Sequence, residues 1–140
     1  MQRLLEIADA ENITIEYRKL TRGLNGFYIW EKDCPPYIAL SFSLNSNYRL
    51  HRCVLAEELG HHFTSIGERF AKRHHSLQDR LTIDKIEYKA LRWAANFLVP
   101  EDDLLDALRD GLYELWELAE EFDVTEEMMR YRMRLFGVKS

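Results

Sequence analysis

One stretch of the sequence, CVLAEELGHHF at residues 53–63, combines carboxylates and histidines at helical spacing. It differs at one position from the metal-binding pattern His-Glu-x-x-His, because Glu57 stands where the first histidine is expected. Glu57 and His61 are four residues apart, so on a helix their side chains can converge on one ion. Glu58 stands where the pattern has its water-activating glutamate. A solvated charged face would show the same residues, and this stretch alone leaves the two interpretations balanced.

A third carboxylate of interest, Glu87, lies in a helix predicted over residues 84–98. Asp84, with Glu87 three places on, resembles a capping box that would start this helix, and Pro100 would stop it. The predicted solvent face carries four polar residues, Lys85, Lys89, Arg92 and Asn96. On a helical wheel Glu87 falls opposite that face, on the apolar side. A carboxylate there is costly unless it is paired with an arginine or bound to a metal, and both alternatives stay open.

The other histidines are weaker ligand candidates. Adjacent helical residues point about 100° apart, so His62 cannot easily share an ion with His61. We expect His62 to be a core histidine hydrogen-bonded to Glu58 or to a backbone carbonyl, with metal ligation as the alternative. His74 and His75 lie in a basic stretch and are expected to be solvated, although either could swing towards a nearby metal.

The elements that must position these residues come in a clear order. An opening helix is predicted over residues 1–12, three strands over 13–20, 26–30 and 37–44, and a helix over 47–64. Residues 65–79 are predicted to be a long loop or a short irregular helix. Two or three short helices follow Pro100 and end at Gly137. Strands followed by a run of helices predict an α+β fold, with a small three-stranded sheet packed against the active-site helix.

Length and composition predict one domain over residues 1–140. It divides into a helix and sheet (1–46), the active-site helices (47–100) and a C-terminal helical segment (101–140). The chain is 46% hydrophobic and carries only two cysteines, Cys34 and Cys53, which we expect to be free thiols. No apolar run approaches the roughly 20 residues of a membrane span, and no signal-peptide pattern is present at the N-terminus, so we expect a cytoplasmic protein without a membrane partner.

Two blocks of the sequence, VLAEELGHHF and EYKALRWAANFLVP, together resemble the ImmA/IrrE family of small metallopeptidases, over about residues 37–100. The resemblance implies a zincin-like fold and a divalent metal. It also implies that His61 is the second histidine ligand, Glu58 the general base and Glu87 the third ligand, with Glu57 in place of the first histidine. Members of the family act in the cytoplasm on helix-turn-helix repressors of phages and mobile elements, so such a repressor is the expected partner.

The glutamate at position 57 sets the alternatives for function. Glutamate is a zinc ligand, and a Glu-Glu-His set leaves a fourth position for water. Two carboxylates make the metal a poorer Lewis acid and widen metal choice from zinc towards manganese or iron. The leading hypothesis is a metal-dependent endopeptidase that relieves repression by cleaving or inactivating a repressor. The alternative is a catalytically inactive relative that regulates by binding the repressor.

The C-terminal segment is the part of the chain whose pattern raises the question of nucleic-acid binding. LAEEFDVTEEMMRYRM has the spacing of a helix-turn-helix, but Glu126 and Glu127 occupy the start of its would-be recognition helix. Residues 101–140 hold five Lys and Arg against twelve Asp and Glu, which makes them a poor surface for phosphates. Direct nucleic-acid binding is therefore the weaker hypothesis, and a packing or repressor-docking role is favoured.

Overall fold

The computed structural model describes residues 1–64 and 77–139. The helices of this part are α1 (Gln2–Ala10), α2 (Tyr48–Thr64), α3 (Leu77–Leu98), α4 (Glu101–Arg109), α5 (Leu115–Phe122) and α6 (Glu126–Lys139). The strands are β1 (Thr14–Arg18), β2 (Gly26–Ile29) and β3 (Tyr37–Ser41), and a short 3₁₀ helix follows at Phe42–Ser46. The predicted α+β class is confirmed. None of the described helices is long and apolar enough to cross a bilayer.

The sheet has the strand order β1-β3-β2, which makes β2 an edge strand. β1 runs parallel to β3, and β2 runs antiparallel to it, with Phe27 opposite Ala39. The central strand β3 is apolar, and Ile38, Ala39 and Leu40 are fully buried. The third strand was expected to reach residue 44 but ends at Ser41, because the Ser41 hydroxyl accepts a hydrogen bond from the Ser43 N–H and starts the 3₁₀ helix.

Helix α2 lies at the centre of the structure and packs against α1, α3, β2 and β3. Its crossing with α3 is close at Gly60, where an added Cβ would overlap the carbonyl oxygen of Ala90. The absence of a side chain at position 60 therefore permits this close approach. The core around the two helices is built from buried aliphatic side chains of most elements, including Leu4, Ile38, Leu40, Leu55, Leu59, Ala94, Leu98, Leu118 and Met129.

Two predicted boundaries in the helical part need correction. Helix α3 begins at Leu77, so Asp84 lies inside it and the capping box predicted there is wrong. A capping residue needs non-helical backbone, and residues 77–83 continue the helix instead. The rest of the predicted loop, residues 65–76 with His74 and His75, lies outside the described residues. Helix α6 runs past Gly137 to Lys139, because one exposed glycine costs about 1 kcal/mol without ending a helix.

The C-terminal helices are attached to α2 by two arginines. The Arg52 Nη1 group donates to the carbonyl oxygens of Phe122 and Asp123, at 2.7 and 3.1 Å. The Arg49 guanidinium donates to the Asp123 carboxylate at 3.2 Å. These carbonyls lie at the end of α5, where Asp123 adopts a left-handed backbone conformation. The turn between α5 and α6 is thus fixed beside the helix that carries the predicted site.

Candidate active site

A cavity of about 370 Å³ lies between α2, α3 and the edge strand β2. All four residues predicted to form the site line it: Glu57, Glu58, His61 and Glu87. The remaining wall comes from α2 and from the chain around β2, with Leu24, Asn25, Gly26, Phe27, Tyr28 and Val54. The structure therefore gathers the predicted residues of two separate helices at one concave surface.

Two of the predicted ligands are in direct contact. The His61 Nε2 atom lies 3.2 Å from the Glu87 Oε2 atom, with the imidazole 7% and the carboxylate side chain 53% exposed. Glu87 therefore faces α2 but is half-exposed rather than buried in the apolar side, and its partner is a histidine rather than an arginine. A helical wheel separates the sides of a helix, but it does not show where neighbouring elements leave a side uncovered. Here the open cavity lies against that side.

The third predicted ligand, Glu57, is half-buried and lines the same cavity. Among the side chains that the structure describes, no three of the His, Cys, Asp and Glu residues lie close enough together to hold a metal ion. The contact between His61 and Glu87 is thus the part of the predicted ligand set that the structure assembles, with Glu57 beside it.

The electrostatics of the cavity favour a cation. Burial raises the pKa of the Glu58 carboxyl to about 8, with the negative charges of Glu57 and Glu87 adding to the shift. Burial and the charge of Glu87 also raise the pKa of Glu57. Burial lowers the pKa of His61, but the hydrogen bond to Glu87 and the three nearby carboxylates outweigh it and raise the pKa overall.

Beyond burial, the cause common to these shifts is the negative charge of the neighbouring carboxylates, which is concentrated in a poorly solvated space. Two glutamates and an imidazole are also donor types that zinc accepts. By charge and by donor chemistry, these residues fit a divalent ion.

His62 faces another way and has different partners. Its Nε2 atom lies 2.9 Å from the Glu11 Oε1 atom, and its Nδ1 atom lies 2.8 Å from the Tyr28 hydroxyl. A neutral ring that donates from Nε2 to the carboxylate and accepts at Nδ1 from the phenol accounts for both bonds. The predicted core histidine is present, but its partners are not Glu58 or a carbonyl. Because both ring nitrogens are engaged, His62 is not placed to bind a metal.

Comparison with known families decides the relationship. The profile of the IrrE N-terminal-like domain, peptidase family M78, matches residues 8–134 of the chain. The chain belongs to the M78 family. No curated protein matches the chain with significant similarity. Membership confirms the predicted ImmA/IrrE relationship, and it implies a metallopeptidase with a divalent metal and a protein substrate.

Sequence reasoning missed two polar residues of this cavity, Asn25 and Tyr28. Tyr28 lines the cavity, and burial raises the pKa of its hydroxyl to about 12. Its hydroxyl is hydrogen-bonded to His62. His62 is in turn hydrogen-bonded to the carboxylate of Glu11, the residue after α1. Tyr28 and His62 are 34 positions apart, and Glu11 and His62 are 51 positions apart. No local sequence pattern could therefore have shown that these side chains meet.

Proposed function

We propose that this M78 protein is a one-domain, cytoplasmic, metal-dependent endopeptidase that relieves repression by cleaving or inactivating a helix-turn-helix repressor of a phage or mobile element. The observation that carries the proposal is the contact between His61 and Glu87 in the same cavity as the buried Glu58. A histidine and a carboxylate from two helices, together with a shielded carboxyl, are what metal-assisted hydrolysis requires of a protein.

In this proposal Glu57, His61 and Glu87 hold the ion, with zinc first and manganese or iron as alternatives. A bound divalent ion supplies Lewis-acid polarisation of the scissile carbonyl. Glu58 takes the proton of the attacking water. With a pKa of about 8 in the ion-free protein, Glu58 is mostly protonated at neutral pH, and only a minority of the carboxyl groups could accept that proton. A neighbouring positive charge would favour the ionised form and enlarge that fraction.

The wall opposite the helices suits a peptide substrate. β2 is an edge strand that pairs with β3 on one side in the described sheet, and its residues Gly26, Phe27 and Tyr28 line the cavity. An extended segment can add to such an edge through backbone hydrogen bonds, which do not depend on its sequence. This supports an endopeptidase that binds a strand-like stretch of a larger protein.

The charge of the C-terminal segment supports a DNA-binding protein as partner. Residues 101–140 carry five basic and twelve acidic residues, and a repressor presents a basic surface to its operator. Glu126 and Glu127 are exposed at the start of α6, where they would repel phosphates. The segment is therefore proposed to dock the repressor and not to bind DNA.

A second function, binding of the repressor without cleavage, is favoured by one observation. Glu57 replaces the histidine expected at the first ligand position, which adds negative charge and weakens the Lewis acidity of any bound ion. In this alternative the same cavity and acidic segment hold the repressor away from its operator.

The deciding experiment uses Glu58→Gln, which preserves shape and removes the base. Purified helix-turn-helix repressors from phages and integrative elements are incubated with zinc-loaded protein, and the products are read by mass spectrometry. Cleavage should fall about 10²–10⁴-fold in the variant. Glu6→Gln, the same chemical change at an exposed residue of α1, should cleave within a few-fold of the parent. If the parent and Glu58→Gln both release a repressor from operator DNA without new peptide ends, the binding function replaces the enzymatic one.

A further inference from the structure

A second cavity of about 280 Å³ adjoins the first. The two share three wall residues, Asn25, Val54 and Glu57, so the second begins beside the first predicted ligand. Its far side is formed by Leu91 of α3 and by residues of α6. A space of this size lies just below the roughly 300–1,000 Å³ of small-molecule sites, and it suits a single side chain better than a whole ligand.

The floor of the second cavity is apolar. Cys53, Val54 and Met128 line it and are 5%, 8% and 6% exposed. The Thr125 hydroxyl already has partners, since it accepts the Met128 N–H at 3.1 Å and lies 3.9 Å from the Cys53 sulfur, whereas the buried Tyr131 hydroxyl has none in the part of the chain that the structure describes. A charged group inserted here would lose its water, and a single hydroxyl cannot replace a hydration shell. An aliphatic or aromatic group makes no hydrogen bonds to water, so it would lose none by entering the cavity.

Two of the three charged residues that line the cavity stand at its rim, and the third, Glu57, is half-buried. Glu127 and Arg134 are exposed, and the Arg134 guanidinium lies 5.9 Å from the centre of the Tyr131 ring. Charge at the rim and apolar surface at the floor are typical of a pocket that admits an apolar side chain while the attached backbone stays in polar surroundings.

We propose that this second cavity is a specificity pocket that receives one large apolar side chain of the substrate, leucine, methionine or phenylalanine, next to the bond cleaved at the first cavity. The inference rests on the proposed peptidase function. It also assigns a role to the C-terminal helices: because Arg52 fixes the turn before α6 onto α2, Met128 and Tyr131 become a fixed wall of the substrate cleft.

Binding to the pocket can be measured without catalysis. Protein with ¹³C-methyl methionine is titrated with N-acetyl-phenylalaninamide and N-acetyl-leucinamide, and the alanine and lysine analogues serve as references. The Met128 methyl signal should shift saturably with the two large apolar probes, while that of Met129, which is 0% exposed, should move much less. Equal responses to the alanine probe, a preference for the lysine probe, or no response would each overturn the proposal.

Filling the pocket provides the matched test. Leu91→Trp places a larger side chain in the wall, whereas Leu5→Trp makes the same change at a residue of α1 outside both cavities. The Met128 response to N-acetyl-phenylalaninamide should disappear in the first variant and persist in the second. A response that survives Leu91→Trp means that the probe binds elsewhere, and the pocket is then rejected.

A peptide-cleavage assay tests this proposal separately from the peptidase function. Peptides that differ only at the residues flanking the scissile bond should be cleaved at least tenfold faster with phenylalanine or leucine than with alanine, and Leu91→Trp should reduce that ratio towards one. Cleavage with no such preference rejects the pocket and leaves the peptidase intact. Absence of cleavage together with the expected Met128 response rejects the peptidase and retains a pocket for an apolar side chain.

Discussion

Two neighbouring histidines of α2 lie in opposite electrostatic surroundings. His61 faces an open cavity in which three carboxylates outnumber one imidazole, and its hydrogen bond goes to the half-exposed Glu87. His62 is enclosed between the Tyr28 hydroxyl and the Glu11 carboxylate, and both of its ring nitrogens are engaged. The first surrounding holds three carboxylates beside an open cavity, whereas in the second the single carboxylate is already hydrogen-bonded to the ring. Burial alone would not separate the two rings, which are 5% and 9% exposed.

The comparison predicts opposite effects of removing each ring. His61→Ala should weaken zinc binding by at least about tenfold to a hundredfold, the loss that even an indirect change near a metal site brings. His62→Gln should leave zinc affinity within a few-fold of the parent and lower the free energy of unfolding by about 1–3 kcal/mol, since it disturbs a buried hydrogen-bonded pair. Competitive zinc titration and urea unfolding measure the two quantities. Equal losses of zinc affinity would remove the distinction between the two faces.

Glu57 tests whether the cavity on the His61 side of α2 binds zinc through a second residue of this helix. If it is a ligand, Glu57→Ala should weaken zinc binding by about tenfold or more, because two protein ligands remain. Glu57→His rebuilds His-Glu-x-x-His, so affinity should hold or rise. Glu11→Ala, on the His62 side, should bind zinc like the parent. Equal affinities across the parent and both Glu57 variants would show that Glu57 is not a ligand.

The last prediction concerns pH and the ion-free protein. The folded-state pKa of Glu58 is about 8, raised from 4.5, so the folded state holds a proton that the unfolded chain has released. Its contribution to stability is complete below pH 4.5 and is lost as the pH rises towards 8. Glu58→Gln removes this loss, so its free energy of unfolding should improve relative to the parent between pH 5 and 9. The gain should reach a few kcal/mol, since one pKa unit is worth about 1.4 kcal/mol. Urea unfolding in the presence of a chelator tests this, and a pH-independent difference would contradict it.

Local periodicity predicted most elements of the fold correctly. The helix over residues 47–64 was recognisable because apolar residues recur at helical spacing. The strand order β1-β3-β2 could not be derived in the same way, because pairing depends on residues far apart in sequence. The capping box at Asp84 failed for a related reason, since a local pattern occurs inside helices as well as at their ends.

The same distinction between local pattern and long-range packing applies to the site. The grouping of Glu57, Glu58, His61 and Glu87 at one cavity follows from helical spacing and from the family resemblance. The exposure of Glu87 and the partners of His62 depend on which elements cover each side of a helix, and a single sequence does not contain that information. The sequence did not predict the second cavity for the same reason, because residues of three different helices line it.

Gly60 has a consequence for how this protein would respond to random mutation. Any side chain at this position collides with the carbonyl group of Ala90 and forces α2 and α3 apart. His61 is the next residue and Glu87 lies one turn before Ala90, so the separation would pull apart the one pair of predicted ligands that touch. A genetic screen for lost activity should therefore recover changes at position 60 as often as at the ligands themselves, although this residue contributes no atom to the chemistry.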